Sequence, residues 1–368
     1  MAAAQETSFQ PNWAIHPGEM LEEYLETLGV SQAEFARRAD LTPKLVNTIL
    51  KGHNPVESDT ALALERVTGT KAYIWTGLQK EWELQRSRVS ERQRHQASSV
   101  STWLEQFPVK ELIARGVLPK SRDVHALREG LLSFFGVANE AAFSGLNQRL
   151  AVRYRASKAY PSSRECVHVW LQLATRSAEQ MELATFSETK LHDALAEIRA
   201  LTNEPPEVFQ PKVTRLCAEA GVAIIPVPPF KGTRLNGAAV WIAKNKAAVV
   251  LSLRHRTNDH FWFTLFHELG HLCLHERDTS YVDDEKPESD AEEAEADAWA
   301  EEKLVGKARL RAFMASQPRA KTEVKDFARS VGVHPGIVVG MLQHHRVLPW
   351  THMNDLKDSF IFAPAAGD

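Results

Sequence analysis

The sequence predicts a mainly helical protein with one small mixed α+β domain towards its C-terminal end. Three observations carry this. The first ninety residues break into short helices punctuated by caps and glycines. Residues 103–201 repeat apolar side chains at helical spacing. Between Gly221 and Leu253 the pattern turns to short β-type runs, then returns to helix. The expected division is 1–90, a helical bundle; 91–205, a helical linker and middle domain; and 206–368, an α+β domain with C-terminal helices.

Size and composition bound the possibilities. The chain has 368 residues, for which two or three domains are expected. Its 43% hydrophobic and 25% charged content is that of an ordinary globular protein. A net charge of only -3 excludes a global basic field, so any nucleic-acid contact must be a local patch. Cys166, Cys217 and Cys273 are odd in number and widely spaced, which suits reduced thiols in a cytoplasm. No apolar run approaches a membrane span, and the first ten residues lack the charged head and apolar core of a signal peptide.

In the first ninety residues, Pro17 opens a helix with Met20, Leu21, Tyr24, Leu25 and Leu28 on one face, and Gly29 stops it. Ser31-Gln32-Ala33-Glu34 reads as a capping box. It starts a short helix whose Phe35, Ala36 and Ala39 face inward. Thr42-Pro43 pairs an N-cap with proline at the first helical position, and that helix runs to Lys51 before Gly52. Ser58 or Asp59 is expected to cap a fourth helix ending at Gly69. Two short helices across a tight turn, inside a small bundle, read as helix-turn-helix.

The middle is less punctuated. Ser87–Ser101 is polar, charged and Arg-rich, and Glu83–Ser99 reads as a helix extension and linker. Leu127, Leu131, Phe134 and Phe135, then Trp170 to Ala174, then Leu191, Leu195 and Ile198 are core positions of successive helices. Arg149, Arg153, Tyr154 and Arg155 form a small basic cluster that reads as a solvated face. After Pro205-Pro206, Phe209–Ala220 is helical. Val222–Val227, Ala238–Ile242 and Ala247–Leu253 are strands, the last two around a Lys244-Asn245-Lys246 turn. Ala238–Ile242 is the expected edge strand.

The chemistry lies in Phe266-His267-Glu268-Leu269-Gly270-His271, inside the apolar run Phe261–Leu274. Residues four apart on a helix share a face, so His267 and His271 can hold one zinc ion. Glu268 falls beside it, where a metalloprotease needs its general base. Two imidazoles in so apolar a run are costly to bury without a purpose. Zinc wants a third protein ligand, and Glu292-Glu293-Ala294-Glu295-Ala296-Asp297 offers it on a second helix. Glu293 reads as the third ligand and Asp297, four residues on, as the carboxylate orienting a ligand histidine. Glu295 is the rival ligand. Cys273 reads as core. His344 and His345 are adjacent and do not face one ion together.

Two resemblances sharpen this. His16-Pro17-Gly18-Glu19, Ser31 to Arg38, Asp59 to Leu64 and Trp75-Thr76-Gly77-Leu78-Gln79 are similar to the Cro/repressor-type (XRE-like) helix-turn-helix of HigA-type antitoxins. That resemblance implies double-stranded operator DNA as partner, with helix Pro43–Lys51 in the major groove. Lys44, Asn47, Thr48 and Lys51 would contact DNA, with Gln32 at the start of the preceding helix. It also implies a homodimer on a two-fold site. From about Phe209 to Met353 the chain resembles the ImmA/IrrE metallopeptidases, small zincins, through Leu251-Ser252-Leu253-Arg254, Asp259 to Phe266 and the two ligand segments. Where such proteins continue into an apolar stretch ending in Met-Pro, this chain has Glu301-Glu302-Lys303-Leu304-Val305-Gly306.

The expected function is a cytoplasmic transcriptional regulator whose zinc endopeptidase cuts a repressor or toxin-system protein. The rival is an antitoxin-like repressor whose zincin fold binds or senses without cleaving. Tyr281, His275 and His334 are the expected candidates for stabilising the oxyanion, with His275 reading better as a capping or surface residue.

Overall fold

The computed structural model describes residues 14–153, 164–231, 233, 235–275, 281–284 and 291–360, with backbone alone for 147–153 and 281–284. The chain divides into two compact units between Val100 and Ser101.

The first unit contains α1 (Pro17–Leu28), α2 (Gln32–Arg38), α3 (Pro43–Leu50), α4 (Ser58–Thr68) and α5 (Ala72–Arg94). Helix α1 begins where His16 Nδ1 accepts from Gly18 N at 2.9 Å, and Glu19 reaches back to His16 N. It ends because Gly29 takes the left-handed φ of 62°. Ser31 Oγ accepts from Glu34 N as expected, but the Glu34 carboxylate turns to Arg37 and Arg38 instead of closing the box. Two basic side chains three and four residues on outbid a single backbone N–H. Thr42 caps α3 through Leu45 N. Ser58 does not cap α4: it is the first helical residue, and the flanking Glu57 offers no side-chain cap. Leu21, Leu25, Phe35, Val46, Ile49, Leu64 and Trp75 fill the core.

Helix α6 (Ala97–Leu104) holds the point of division. The second unit continues through α7 (Val109–Ala114), α8 (Val124–Phe135), α9 (Glu140–Arg153), α10 (Arg164–Glu179), α11 (Glu188–Ala200) and α12 (Pro206–Glu219). Then come β1 (Val222–Pro226), β2 (Leu235–Ala243), β3 (Lys246–Leu251), α13 (Asn258–Leu274), β4 (Tyr281–Asp284) and α14 (Ala291–Leu304). Helices α15 (Lys307–Ala315), α16 (Lys321–Val331) and α17 (Pro335–His344) follow. The architecture is therefore mainly α with a small mixed sheet. The middle helices pack on that sheet: Trp170 Nε1 donates to Val227 O at 2.9 Å, and Arg115 donates to the carbonyls of Pro228 and Pro229. The side chains of the basic cluster from Arg149 to Arg155 lie outside the described residues.

The sheet order is β1-β3-β2-β4, with β1 parallel to β3 and the other pairs antiparallel. Strand β2 is interior over its Leu235–Ala239 half, where β4 pairs with it, so of the expected edge Ala238–Ile242 only Ala238 and Ala239 are covered among the described residues. A four-residue strand in an acidic stretch has no periodicity to announce it, and long-range pairing makes it. Helix α13 packs across β2 and β3 and contacts α14 and α17, so its cleft face lies between sheet, acidic helix and C-terminal helices.

Candidate metal centre

The buried core places the H-E-x-x-H turn with little freedom. Trp262, Leu265, Phe266 and Leu269 are fully buried on α13. Their burial turns His267, Glu268 and His271 inward, at 4%, 0% and 2% exposure. Gly270 lets α14 come close, since a Cβ there would meet Trp299 Cε3 at 3.2 Å and Ala296 Cα at 3.5 Å. That approach carries Glu293 to the two histidines.

The donor atoms of His267, His271 and Glu293 all lie within 4.8 Å of one another. His267 Nε2 is 3.0 Å from His271 Nε2 and 3.1 Å from Glu293 Oε2. His271 Nε2 is 3.4 Å from Glu293 Oε1. The outer nitrogens are also engaged: His267 Nδ1 meets Asp297 Oδ1 at 2.8 Å, and His271 Nδ1 meets His275 Nδ1 at 3.0 Å. Two imidazoles and one carboxylate converging from two helices, with an Asp behind one ring, fit a zinc-type donor set. Burial works to raise the Glu293 carboxyl, but contacts with His267 and His271 prevail and hold it at about 2. Burial lowers the His271 ring, opposed by Glu293. The rival Glu295 points elsewhere, 64% exposed, with Oε2 3.4 Å from His275 Nε2.

A cavity of about 620 Å³ opens beside these groups, lined by Asn236, His260, Phe263, Thr264, Met341 and Trp350 among others. Glu293, Asp297 and Glu301 stand at four-residue intervals along its α14 wall. Glu301 is held by His345 Nε2, so the two adjacent histidines part: His344 lines the cavity and His345 pairs with α14. Opposite, Asp259 Oδ2 pairs with Lys357 Nζ at 2.6 Å, both side chains buried. The Lys357 ammonium also donates to Gln343 Oε1.

Other expected candidates fall in different places. His334 caps α17, its Nδ1 accepting from Gly336 N, and its Nε2 is 3.2 Å from Asp358 Oδ2. It is a fold residue because Pro335 opens a helix that needs a cap. His275 is the C-cap of α13. The Tyr281 side chain lies outside the described residues. Cys273, beyond the ligand face, is buried enough that its thiol is pushed up to about 12. Sequence reading missed Gly237, where a Cβ would lie 2.5 Å from Glu268 Oε1. A lone glycine inside a strand pattern was the available signal.

In the first unit, Gln32, Lys44 and Lys51 are exposed and Asn47 and Thr48 half-buried. Lys44, Asn47 and Thr48 lie on α3, Lys51 is its C-cap, and Gln32 is the first residue of α2. Thr48 Oγ1 donates to the carbonyls of Lys44 and Leu45, so its hydroxyl proton is committed to its own helix.

Residues 218–342 match the family described as IrrE N-terminal-like domain, a peptidase family. The N-terminal region is 39% identical over 72 residues to virulence-associated protein I of Dichelobacter nodosus, covering 19% of this chain and 67% of that protein. It is 34% identical over 68 residues to the HTH-type transcriptional regulator YddM of Escherichia coli K12, covering 18% of this chain and 72% of the relative. The solved Pseudomonas aeruginosa antitoxin HigA with the higBA promoter is 31% identical, over 22% of this chain and 90% of that one, with a TM-score of 0.22. Among the described residues no helix is long and apolar enough to cross a membrane.

Proposed function

This chain belongs to the helix-turn-helix transcriptional regulators through its first unit and to the IrrE-like peptidase family through its second, and from that premise we propose a DNA-binding regulator with a zinc-dependent endopeptidase. The observation that supports this most is the convergence of His267, His271 and Glu293 next to the buried Glu268 in the H-E-x-x-H turn, with His267 and Glu293 lining a cavity of about 620 Å³. His267, His271 and Glu293 would hold the ion, with Asp297 fixing the His267 ring. Zinc, when bound, supplies Lewis-acid activation of water and of a peptide carbonyl.

The remaining work belongs to side chains. Glu268 accepts the proton of the attacking water at a carboxylate oxygen and returns it to the leaving amine nitrogen. A C–O bond forms, the C–N bond breaks, and the carboxylate is regenerated. Phe263 and Met341 give the cleft an apolar lining near His267. An extended substrate adds to β4, the sheet edge next to Gly237.

The first unit supplies the address. Helix α3 enters the major groove of an operator, with Gln32, Lys44, Asn47, Thr48 and Lys51 as contacts and a homodimer on a two-fold site. The substrate class is a repressor or toxin-system protein in the cytoplasm, recognised partly through the helices between Trp103 and Leu201.

The test is a cleavage assay of zinc-loaded protein against products of neighbouring genes, with Glu268→Gln as control. One discrete cut, absent in the variant, is expected. A cellular response that survives Glu268→Gln unchanged would instead favour the repressor in which zinc is a structural or sensing ion.

A further inference from the structure

Resting on the peptidase reading, we propose that Asn236 is a substrate-binding residue whose carboxamide grips the main chain of a peptide in the cleft. The strand pairing brings it there. Leu235 pairs with Asp284 and Gly237 with Asp283, so two steps of β2 oppose one step of β4. Asn236 is the extra residue, a bulge. In a regular strand Asn236 and Gly237 would point to opposite faces. A bulge re-aims a side chain, and bulges gather beside active sites. Here Gly237 faces Glu268 and Thr264 of α13. Asn236 lines the same cavity as Thr264, His267 and Glu293. Both residues thus serve the cleft.

The main chain of the bulge is held without the side chain, since Ser252 N donates to Asn236 O at 2.9 Å. The side-chain Oδ1 is shielded from solvent and has no hydrogen-bond partner among the described residues. Buried polar atoms are normally paired, because leaving one unpaired carries a desolvation penalty. A ligand that pairs with it accounts for its position. A carboxamide offers one acceptor and two donors, and a peptide unit offers one N–H and one C=O. The match is to backbone, so the ligand class is an extended peptide of any sequence at this step. Selectivity among substrates must come from other contacts.

The experiment measures binding instead of turnover. Zinc-loaded protein is titrated by calorimetry with acetohydroxamate, which reaches only the metal, and with an acyl-tripeptide hydroxamate, which also fills the cleft. Wild type should prefer the peptidyl probe. Asn236→Ala should weaken that probe by about 10- to 100-fold, the loss of one or two hydrogen bonds to a buried group. Acetohydroxamate affinity and zinc content should not change. Asn236→Asp, similar in shape but without donors, should lose affinity too. Asn236→Ser serves if Asn236→Ala unfolds. A serine or alanine variant that keeps the full preference overturns the assignment alone. A wild type that does not distinguish the two probes overturns the peptidase reading and this inference with it.

Discussion

Gly237 lies against Glu268 so closely that a Cβ on the glycine would sit 2.5 Å from Glu268 Oε1 and 2.6 Å from Thr264 Cγ2. A strand residue with no side chain thereby makes room for the carboxylate of the H-E-x-x-H helix. Gly237→Ala should push both side chains aside. We expect a stability loss of about 1–3 kcal/mol, typical of overpacking. Proteolysis should fall at least about tenfold, because a base moved by a fraction of an ångström loses its alignment, while zinc is retained. Unchanged melting and cleavage would show that Glu268 has another resting place.

The purified protein should carry about one zinc per chain. His267→Ala, His271→Ala and Glu293→Ala should each lose most of it, and Glu268→Gln should keep it. Elemental analysis after dialysis decides. If Glu295→Ala empties the site and Glu293→Ala does not, the third ligand is misassigned.

Asp297 meets His267 Nδ1 at 2.8 Å while remaining partly exposed. Asp297→Ala should weaken zinc binding by about 10- to 100-fold without abolishing it. Competition with a chromophoric chelator gives the number. An affinity equal to wild type would reduce Asp297 to a surface acid.

Lys51→Ala should weaken operator binding on every sequence and lower the salt slope by about one. Asn47→Ala should instead cost discrimination, by about 1–3 kcal/mol at one base pair. Salt-dependent titrations of promoter fragments separate the two. No binding to any promoter fragment at low salt would retire the DNA-binding proposal.

Burial holds the His16 ring below its ordinary value of 6.5, with Glu19 opposing. Its Nδ1 accepts from Gly18 N, which only the neutral ring can do. The unfolded chain therefore takes up the proton first. The stabilisation is complete above 6.5 and is lost as pH falls through the lower folded value. The first unit should melt earlier in acid, and His16→Asn, an N-cap that does not titrate, should flatten that dependence. Equal slopes for both proteins between about pH 7 and about pH 5 would mean that other groups set the acid sensitivity.

What could be read from residues alone was whatever obeys a local rule. His267 and His271 share a face because 3.6 residues make a turn, and Glu293 and Asp297 follow the same arithmetic. Gly29, Thr42 and Gly69 mark helix ends because their backbone and side-chain preferences act within a few residues. Even some local rules gave way: Glu34 had closer cations to bind, and Ser58 joined the helix it was expected to cap.

Pairings between distant segments belonged to the folded chain. Strand β4 covers the start, Ala238 and Ala239, of the edge that the pattern assigned to Ala238–Ile242, a pairing with a segment some forty residues away in sequence. The bulge at Asn236 exists only as a mismatch between two strands, so neither strand alone contains it. Trp170 ties the middle helices to the sheet through a carbonyl that no periodicity identifies. Side-chain type and spacing set which groups can meet on one element. Close packing between elements chose which of them do, since burying apolar faces leaves only a few arrangements that also satisfy the backbone.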